Sequence, residues 1–472
     1  MKGYESYSIF PRLNYNQGGY QLDKLLEILK SVSDVLWGIP LLILIVGTGI
    51  FLTVRVAFLQ IRLLPVALRL TFSRKHDKTA EGDISQFQAL TTALAATVGT
   101  GNIVGVATAV LLGGPGAVFW MWFSAFFGMA TKYSEAILAV KYRIKDANGQ
   151  MAGGPMYYIE HGLKQKWLAV LFAIFGALAA FGIGNGTQAN SVSSAVESTF
   201  GVETWITGLV LAIFTALVIL GGIKSIGNVT AVFVPVMALF YILAGLFIMV
   251  TNISAVPEAF GIIFKSAFTG EAAAGGAIGA AIRYGVARGV FSNEAGLGSA
   301  PIAAAAAKTD LPGRQALVSM TQVFIDTFII CSITGVTIVM SGMYKDTSIG
   351  GGDLTSAAFG HFLGDWGPII IAIGLIFFAS STIFGWAYYG EKCFQYLFKN
   401  PTLLIVYRIA FVAMVFIGSV VSLDLIWTFS DITNALMAIP NLIGLLGLSG
   451  VVVYETKRIQ KKLKEEKLAS KA

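Results

Sequence analysis

Two glycine-rich interruptions in apolar segments are the residues best able to do chemistry. In the first, an apolar run reaching Val98 meets Gly99-Thr100-Gly101-Asn102 before the apolar pattern resumes. Two glycines and an asparagine within four residues cost roughly 2 kcal/mol of helix propensity relative to alanine. The second, between Arg288 and Gly296, includes Glu294 among glycine, serine and asparagine. Where a helix stops and restarts, free amides attract an anion and free carbonyls a cation, which suits a small zwitterion beside an alkali ion.

The composition indicates that these interruptions lie in a membrane. Of 472 residues, 56% are hydrophobic and 12% are charged, about half the charged fraction of a soluble chain. Two cysteines and three histidines exclude a disulfide framework and a Cys/His metal cluster. The net charge of +7 does not indicate nucleic-acid binding, because the lysines and arginines lie between apolar runs and at the C-terminus rather than in one stripe.

Eleven stretches are long and apolar enough to span a bilayer. Each is expected to be helical because hydrocarbon cannot satisfy bare backbone amides, so the sequence predicts an all-α membrane protein. A leading helix is expected at 34–54. Ten further helices are expected at about 88–111, 117–140, 167–188, 205–221, 230–250, 273–307, 315–341, 368–396, 403–421 and 425–453.

The distribution of basic residues predicts the orientation. With the N-terminus outside, 24 of the 33 lysines and arginines fall in cytoplasmic segments and six in outer segments, as the positive-inside rule requires. Residues 1–33 are then an extracellular segment and residues 454–472 a basic cytoplasmic tail facing the negative inner leaflet.

The two interruptions occur in the first and the sixth of the ten core helices. They are five spans apart, so the chain enters them from opposite sides, and residues 85–250 and 273–453 form two inverted five-helix halves. Paired, glycine-interrupted segments in inverted halves indicate the midplane site of a secondary transporter. The alternative is that the glycines only permit close helix packing.

Four motifs resemble the prokaryotic alanine/glycine:cation symporters, the sodium:alanine symporter family. They are GGPGAVFWMW at 113–122, MAGGPMYY at 151–158, GVFSNEAGLGSAP at 289–301 and AIPNL at 438–442. The resemblance covers about 85–453 and leaves residues 1–33 outside. It implies a LeuT-like 5+5 inverted repeat behind one leading helix, in the plasma membrane, that imports alanine or glycine with sodium by alternating access.

The resemblance also implies site residues. The amides of Thr100 and Gly101 would bind the substrate carboxylate. The carbonyls of Ala95 and Val98, with the hydroxyls of Ser381 and Thr382, would bind sodium, and oxygen ligands suit such a hard cation. Positions Thr97 and Asn102, together with the substrate carboxylate, would provide a possible second sodium site. No organic cofactor and no obligate protein partner are implied.

The substrate pocket is expected to include Gln188, Phe291, Asn293, Thr382 and Trp386. The amide of Gln188 could donate to a carboxylate and accept from an ammonium, or form a structural bond across helices. Trp386 is one turn from Thr382 and so lies on the same face. With Phe291 it would admit a methyl group but not a leucine side chain; simple packing is the alternative for the tryptophan.

Charged residues within spans are functional hypotheses by default. Lys132 and Glu135 are expected to pair on the second core helix. Arg288 could pair with Glu294 or Asp326, either to fix the break or to form part of a gate.

Proton-coupled transport, a channel and an enzyme are the alternative functions. Proton coupling is the main alternative. The sequence shows no obvious carboxylate near the first break, which argues against it. A channel would need a repeated filter, and an enzyme would need a nucleophile–base or metal constellation; the sequence offers neither.

Overall fold

The computed structural model describes residues 18–73, 80–146, 148–269 and 278–469. Within these ranges the chain is almost entirely helical. The first half contains α1 Gly18–Leu36, α2 Ile39–Arg55, α3 Leu59–Arg62, α4 Leu64–Thr71, α5 Gln86–Thr97, α6 Val106–Gly113, α7 Ala117–Lys141, α8 Pro155–His161, α9 Lys166–Phe181, α10 Thr187–Phe200, α11 Thr204–Ile219 and α12 Gly222–Thr251.

The second half contains α13 Ala255–Thr269, α14 Ile278–Asn293, α15 Pro301–Ala305, α16 Pro312–Val323, α17 Ser332–Ser341, α18 Leu354–Leu363, α19 Trp366–Leu397, α20 Pro401–Val420, α21 Leu423–Gly447 and α22 Ser449–Ala469. Three π-helical turns join successive helices at Gly101–Gly105, Gly182–Gly186 and Phe324–Cys331, and a 3-10 turn covers Met343–Lys345. A short antiparallel hairpin pairs β1 Ile144–Lys145 with β2 Met151–Ala152.

Seven helical segments of the described chain can cross a membrane by length and composition, the first of them including the turn between α1 and α2. They are Lys24–Arg55, Lys166–Phe200, Gly222–Thr251, Pro312–Ser341, Trp366–Leu397, Pro401–Val420 and Asp424–Gly447. An eighth span is possible if Gln86–Thr97 and Gly101–Gly113, which meet at a 52° bend, cross as one unit. Helix α7 carries three charged residues, Lys132, Glu135 and Lys141. Helix α11 has only 16 residues, and an irregular segment separates α14 from α15. The expected count of eleven therefore stays a prediction.

The ends of the chain are helical where the structure describes them. Residues 1–17 of the expected outer segment lie outside the described residues, and α1 begins at Gly18, ahead of the leading helix expected at 34–54. The expected tail continues a helix, α22, up to Ala469. Residues 273–277 of the expected second half and 470–472 of the tail also lie outside the described residues.

The helices sort into buried and peripheral ones. Helix α19 is mostly buried, with Trp386 and Phe384 fully inside. Helices α12 and α20 expose rows of large apolar side chains such as Val236, Leu243 and Ile409. Exposed apolar rows of this kind are stable against lipid rather than water. The functional candidates therefore lie in the centre of a bundle with an apolar periphery.

Candidate functional site

The first break lies between α5 and the π-helical turn Gly101–Gly105. A capping box at Ser85 and Gln88 starts α5, and the helix ends at Thr97 because Val98 adopts an extended conformation with ψ 92°. The backbone groups freed here find side-chain partners. Gly99 N donates to Asn102 Oδ1 at 2.9 Å, and Thr100 N donates to Gln188 Oε1 at 3.1 Å.

Two hydroxyls of α19 meet the carbonyls at the end of α5. Thr382 Oγ1 lies 3.0 Å from Ala95 O and 3.3 Å from Val98 O. Ser381 Oγ lies 3.3 Å from Ala95 O. All four residues are buried. The structure thus brings together the four oxygens expected to bind sodium.

The residues expected at a second sodium site point to different neighbours. Thr97 Oγ1 donates to Ala93 O at 3.1 Å and accepts from Gln322. Asn102 Nδ2 instead donates to Asp326 Oδ1 at 2.7 Å. Asp326 is fully buried on the π-helical turn Phe324–Cys331. The expectation that no carboxylate lies near the first break is therefore wrong.

Asp326 also contacts the second broken segment. Its carboxylate accepts from Ser292 Oγ at 3.0 Å and from Thr327 Oγ1 at 2.8 Å. The two broken segments touch each other directly, since a Cβ on Gly101 would lie 2.9 Å from Ser292 Cα. A side chain at position 101 would therefore separate the two breaks.

The second break follows the end of α14 at Asn293. Glu294 has a positive φ of 57°, and the chain is irregular until α15 begins at Pro301. Glu135 Oε1 accepts from the amides of Gly296 and Gly298, both at 3.1 Å, and from Asn441 Nδ2 at 2.7 Å. Side chains of α7 and α21 therefore supply hydrogen bonds that the missing helix would have supplied.

Lys132 connects the same region to α7. Its ammonium lies 3.9 Å from Glu135 Oε2 and donates to the carbonyl of Glu294 at 3.1 Å. The expected pair of Lys132 and Glu135 is confirmed, and it belongs to the network that holds the second break.

Trp386 is fixed from two sides. Its Nε1 donates to Glu294 Oε1 at 2.7 Å, and Ser299 Oγ donates to the other carboxylate oxygen at 2.6 Å. The opposite side of Trp386 packs on Gly184, where a Cβ would lie 2.1 Å from Trp386 Cβ. The ring is therefore held between the second break and the π-helical turn Gly182–Gly186.

The other expected pocket residues have internal partners. Besides accepting from Thr100, Gln188 donates to Ile183 O at 2.7 Å, so it bridges helices. Asn293 donates to Thr327 Oγ1 at 3.1 Å and accepts from Ala295 N at 2.9 Å. The ring of Phe291 stacks on Trp427 with centroids 4.8 Å apart.

Arg288 pairs with neither expected partner. Its guanidinium makes two contacts with the carboxylate of Asp431 on α21, at 3.0 and 3.1 Å, and lies 5.1 Å from the Trp427 ring centroid. Both side chains are mostly buried, at 14% and 15% exposure. Glu294 is already bonded to Trp386 and Ser299, which explains why it does not bind Arg288. A cavity of about 410 Å³ adjoins this pair.

Arg143, which follows the C-terminal end of α7, forms a further contact between the two broken regions. The guanidinium of Arg143 donates to the carbonyls of Ala305, Ala307 and Glu81 at 2.9, 2.7 and 2.8 Å. It therefore ties the segment before the first broken helix to the segment after the second. The sequence alone does not reveal this contact, because nothing around residue 143 indicates which carbonyls the guanidinium reaches.

The hairpin next to Arg143 is pinned to α19. Lys392 Nζ lies 3.0 Å from Asp146 Oδ2. Burial raises the pKa of Asp146, but the charge of Lys392 and hydrogen bonds from Lys392, Gln150 and Asn148 outweigh it and lower the pKa overall. Asp146 is therefore ionised at neutral pH and attracts Lys392.

Comparison with known proteins places this chain in a family. The sodium:alanine symporter family matches residues 22–472. The sodium/alanine symporter AgcS of Methanococcus maripaludis is 60% identical, over 93% of this chain and 98% of that protein. The probable sodium/glutamine symporter GlnT of Bacillus subtilis is 40% identical, over 91% and 90%.

The fold has a solved counterpart. The crystal structure of MhsT in complex with L-phenylalanine matches with a TM-score of 0.56 at 12% identity, covering 80% of this chain and 98% of that one. Structural neighbours of this chain are LeuT-fold transporters. The chain is a multi-pass membrane transporter, not an enzyme, and it belongs to the sodium:alanine symporter family.

Proposed function

We propose that this protein imports alanine, and glycine, together with sodium. The observation that carries the proposal is the meeting of Ser381 and Thr382 with the carbonyls of Ala95 and Val98, with oxygens at 3.0 to 3.3 Å. Hydroxyl and carbonyl oxygens are ligands for a hard cation. The ends of broken helices bind the coupling ion in this class of transporter.

The substrate would bind beside this ion at the first break. The amides of Thr100 and Gly101 would receive the carboxylate, and Thr100 N would exchange its bond with Gln188 for the substrate. In support, Thr100 Oγ1 is buried without a hydrogen-bond partner among the described residues. Asn293 and Gln188 would then orient the two broken segments, and Thr382 would lie next to both ion and substrate.

Trp386 and Phe291 would set the size limit. Trp386 is fully buried and Phe291 is 3% exposed, so neither ring is free to swing away at low cost. One methylene in such a pocket changes the affinity by roughly 10–200-fold. The pocket would accept glycine and alanine and discriminate against leucine.

Transport would proceed by alternating access between two seals. The contact of Arg288 with Asp431, beside the stacked rings of Phe291 and Trp427, would close the outer side. The contacts of Arg143 with three backbone carbonyls would close the inner side. We place the N-terminus outside and the C-terminus in the cytoplasm, in the plasma membrane. Eleven spans arranged as a leading helix and two inverted five-helix halves complete the proposal.

One observation favours a second coupling ion, sodium or proton. Asp326 is a buried carboxylate that joins Asn102 of the first break to Ser292 of the second, at 2.7 and 3.0 Å. Its partners in these bonds are neutral. A cation bound at Asp326 and Asn102 would replace the site expected at Thr97 and Asn102, because Thr97 is turned away.

The test is alanine uptake into vesicles that contain the purified protein. We expect uptake driven by a sodium gradient and abolished by Ser381→Ala combined with Thr382→Ala, while the neighbouring Ser380→Ala serves as the matched control. Equal uptake when choline replaces sodium would refute sodium coupling. Uptake driven by a pH gradient alone would favour the proton.

A further inference from the structure

Asn434 on α21 is a buried amide without a partner. It is fully buried, and both its Oδ1 and its Nδ2 lack a hydrogen bond among the described residues. Every other buried asparagine of the described chain makes at least one side-chain hydrogen bond. Asn190 Nδ2, for example, donates to Gly418 O at 3.1 Å and to Val421 O at 2.7 Å. Leaving buried polar atoms unpaired costs free energy, so Asn434 requires an explanation.

The position of Asn434 on α21 places it opposite the second break. Trp427 and Asn441 lie seven residues before and after it, almost two full helical turns each way, so the three share one face of the helix. Trp427 stacks on Phe291, and Asn441 Nδ2 donates to Gly296 O at 2.9 Å. Asn434 is therefore level with the segment between Phe291 and Gly296, where α14 ends.

The residues one turn from Asn434 on α21 show which parts of the protein lie next to it. Asp431, one turn away, contacts Arg288. Ser430, also one turn away, packs against the π-helical turn of the third core helix, since a Cβ on Gly182 would lie 2.6 Å from Ser430 Oγ. The same turn supports Trp386 through Gly184. Asn434 thus lies between the end of α14 and the turn that holds the pocket tryptophan.

We propose that Asn434 is a substrate-binding residue, whose carboxamide hydrogen-bonds the charged groups of a small zwitterionic amino acid. The carboxamide offers two donors and an acceptor with two lone pairs, which match a carboxylate and an ammonium. Asn434 Oδ1 and Nδ2 then lack internal partners because they bind the ligand. The inference rests on the proposed function and adds a contact from the tenth core helix to it.

Two variants test the proposal on the full-length protein in detergent with saturating sodium. Asn434→Leu replaces the amide by an apolar group of similar size. Asn190→Leu is the matched control, because it removes an amide whose bonds are internal. For each variant, the unfolding midpoint without alanine and the Kd for alanine are measured.

For a ligand-binding amide, Asn434→Leu should leave the alanine-free midpoint unchanged or raised, because no internal bond is lost. Its Kd for alanine should increase about tenfold or more, as expected when a hydrogen bond to a charged group is removed. Asn190→Leu should lower the midpoint and change the Kd little.

The Kd decides the outcome. If the Kd of Asn434→Leu rises no more than that of Asn190→Leu, whatever the midpoints, Asn434 is not a substrate ligand and the proposal is wrong. If the unmodified protein binds no alanine, the proposed function itself fails, and this result is distinct because it precedes any variant.

Discussion

Substituting Gly184 by alanine should displace Trp386, the tryptophan of the proposed pocket. The new Cβ would lie 2.1 Å from Trp386 Cβ and 2.2 Å from Trp386 Cγ, whereas carbon atoms in contact prefer about 3.5–4.0 Å. The two groups must therefore separate by roughly 1.4 Å or more. The ring cannot retreat freely, because its Nε1 is held by Glu294 at 2.7 Å and a hydrogen bond is lost beyond about 3.5 Å.

The cost can be bounded from these contacts. Overpacking a buried site costs about 1–3 kcal/mol, and losing a buried hydrogen bond adds roughly 1–3 kcal/mol if the bond breaks. If the bond breaks, we expect a total loss of about 2–6 kcal/mol in stability. We also expect the ring to be pushed away from the third core helix into the proposed pocket, which should favour glycine over alanine by roughly tenfold or more.

The assay combines thermal unfolding with competition between glycine and alanine for binding in sodium. Gly105→Ala is the matched control: Gly105 lies in the π-helical turn of the first core helix, and the nearest heavy atom to its added Cβ is Thr100 O at 3.8 Å. If Gly184→Ala matches Gly105→Ala in midpoint and in the glycine-to-alanine ratio, Trp386 does not limit the pocket and the size argument is refuted.

Three further substitutions probe the polar groups around the breaks. Glu135→Leu leaves the amides of Gly296 and Gly298 unpaired and removes one of the two hydrogen bonds of Asn441 Nδ2. It should lower the unfolding midpoint by an amount equal to about 3–5 kcal/mol. Glu135→Gln, which keeps an acceptor, should cost less, and equal losses would contradict the role assigned to the carboxylate. Arg143→Lys cannot reach three separate carbonyls and should cost about 1–3 kcal/mol, against a negligible change for the exposed Arg55→Lys. Arg288→Lys loses the two-pronged contact with Asp431 and should speed alanine dissociation about tenfold; an unchanged rate in a stopped-flow release experiment would show that this pair is not an outer seal.

Local features of the sequence indicated the places where helices end. Helix α5 ends at Thr97 and α14 at Asn293, next to the glycines and polar residues that were identified as interruptions. Such positions can be read from one sequence because helix propensity is local. The hydroxyls of Ser381 and Thr382 could be assigned through family motifs, and the structure brings them within 3.3 Å of the carbonyls of the first break.

Contacts between distant segments could not be read in this way. Arg288 and Asp431 are 143 positions apart, and Asn102 and Asp326 are 224 apart. Which charged residues meet depends on how helices pack, and a single sequence carries little information about packing. The sequence does mark Asp326 as a functional candidate, because a charged residue within an apolar span is rarely incidental. It does not indicate that Asn102 and Ser292 are the hydrogen-bond partners of this carboxylate.

Both breaks are stabilised in the same way, by side chains that hydrogen-bond the freed backbone groups. A helix broken inside a membrane exposes amides and carbonyls that water cannot reach, so protein side chains must satisfy them. Here Gln188 and Asn102 serve the first break, and Glu135 and Asn441 serve the second. A substrate or ion that binds at a break must compete with these side chains or use groups that they leave free. The affinity of the site is therefore set as much by these amides and carboxylates as by the residues that touch the ligand. Isosteric changes between acid, amide and hydrocarbon at these positions should alter binding more than apolar substitutions of similar size elsewhere in the pocket wall.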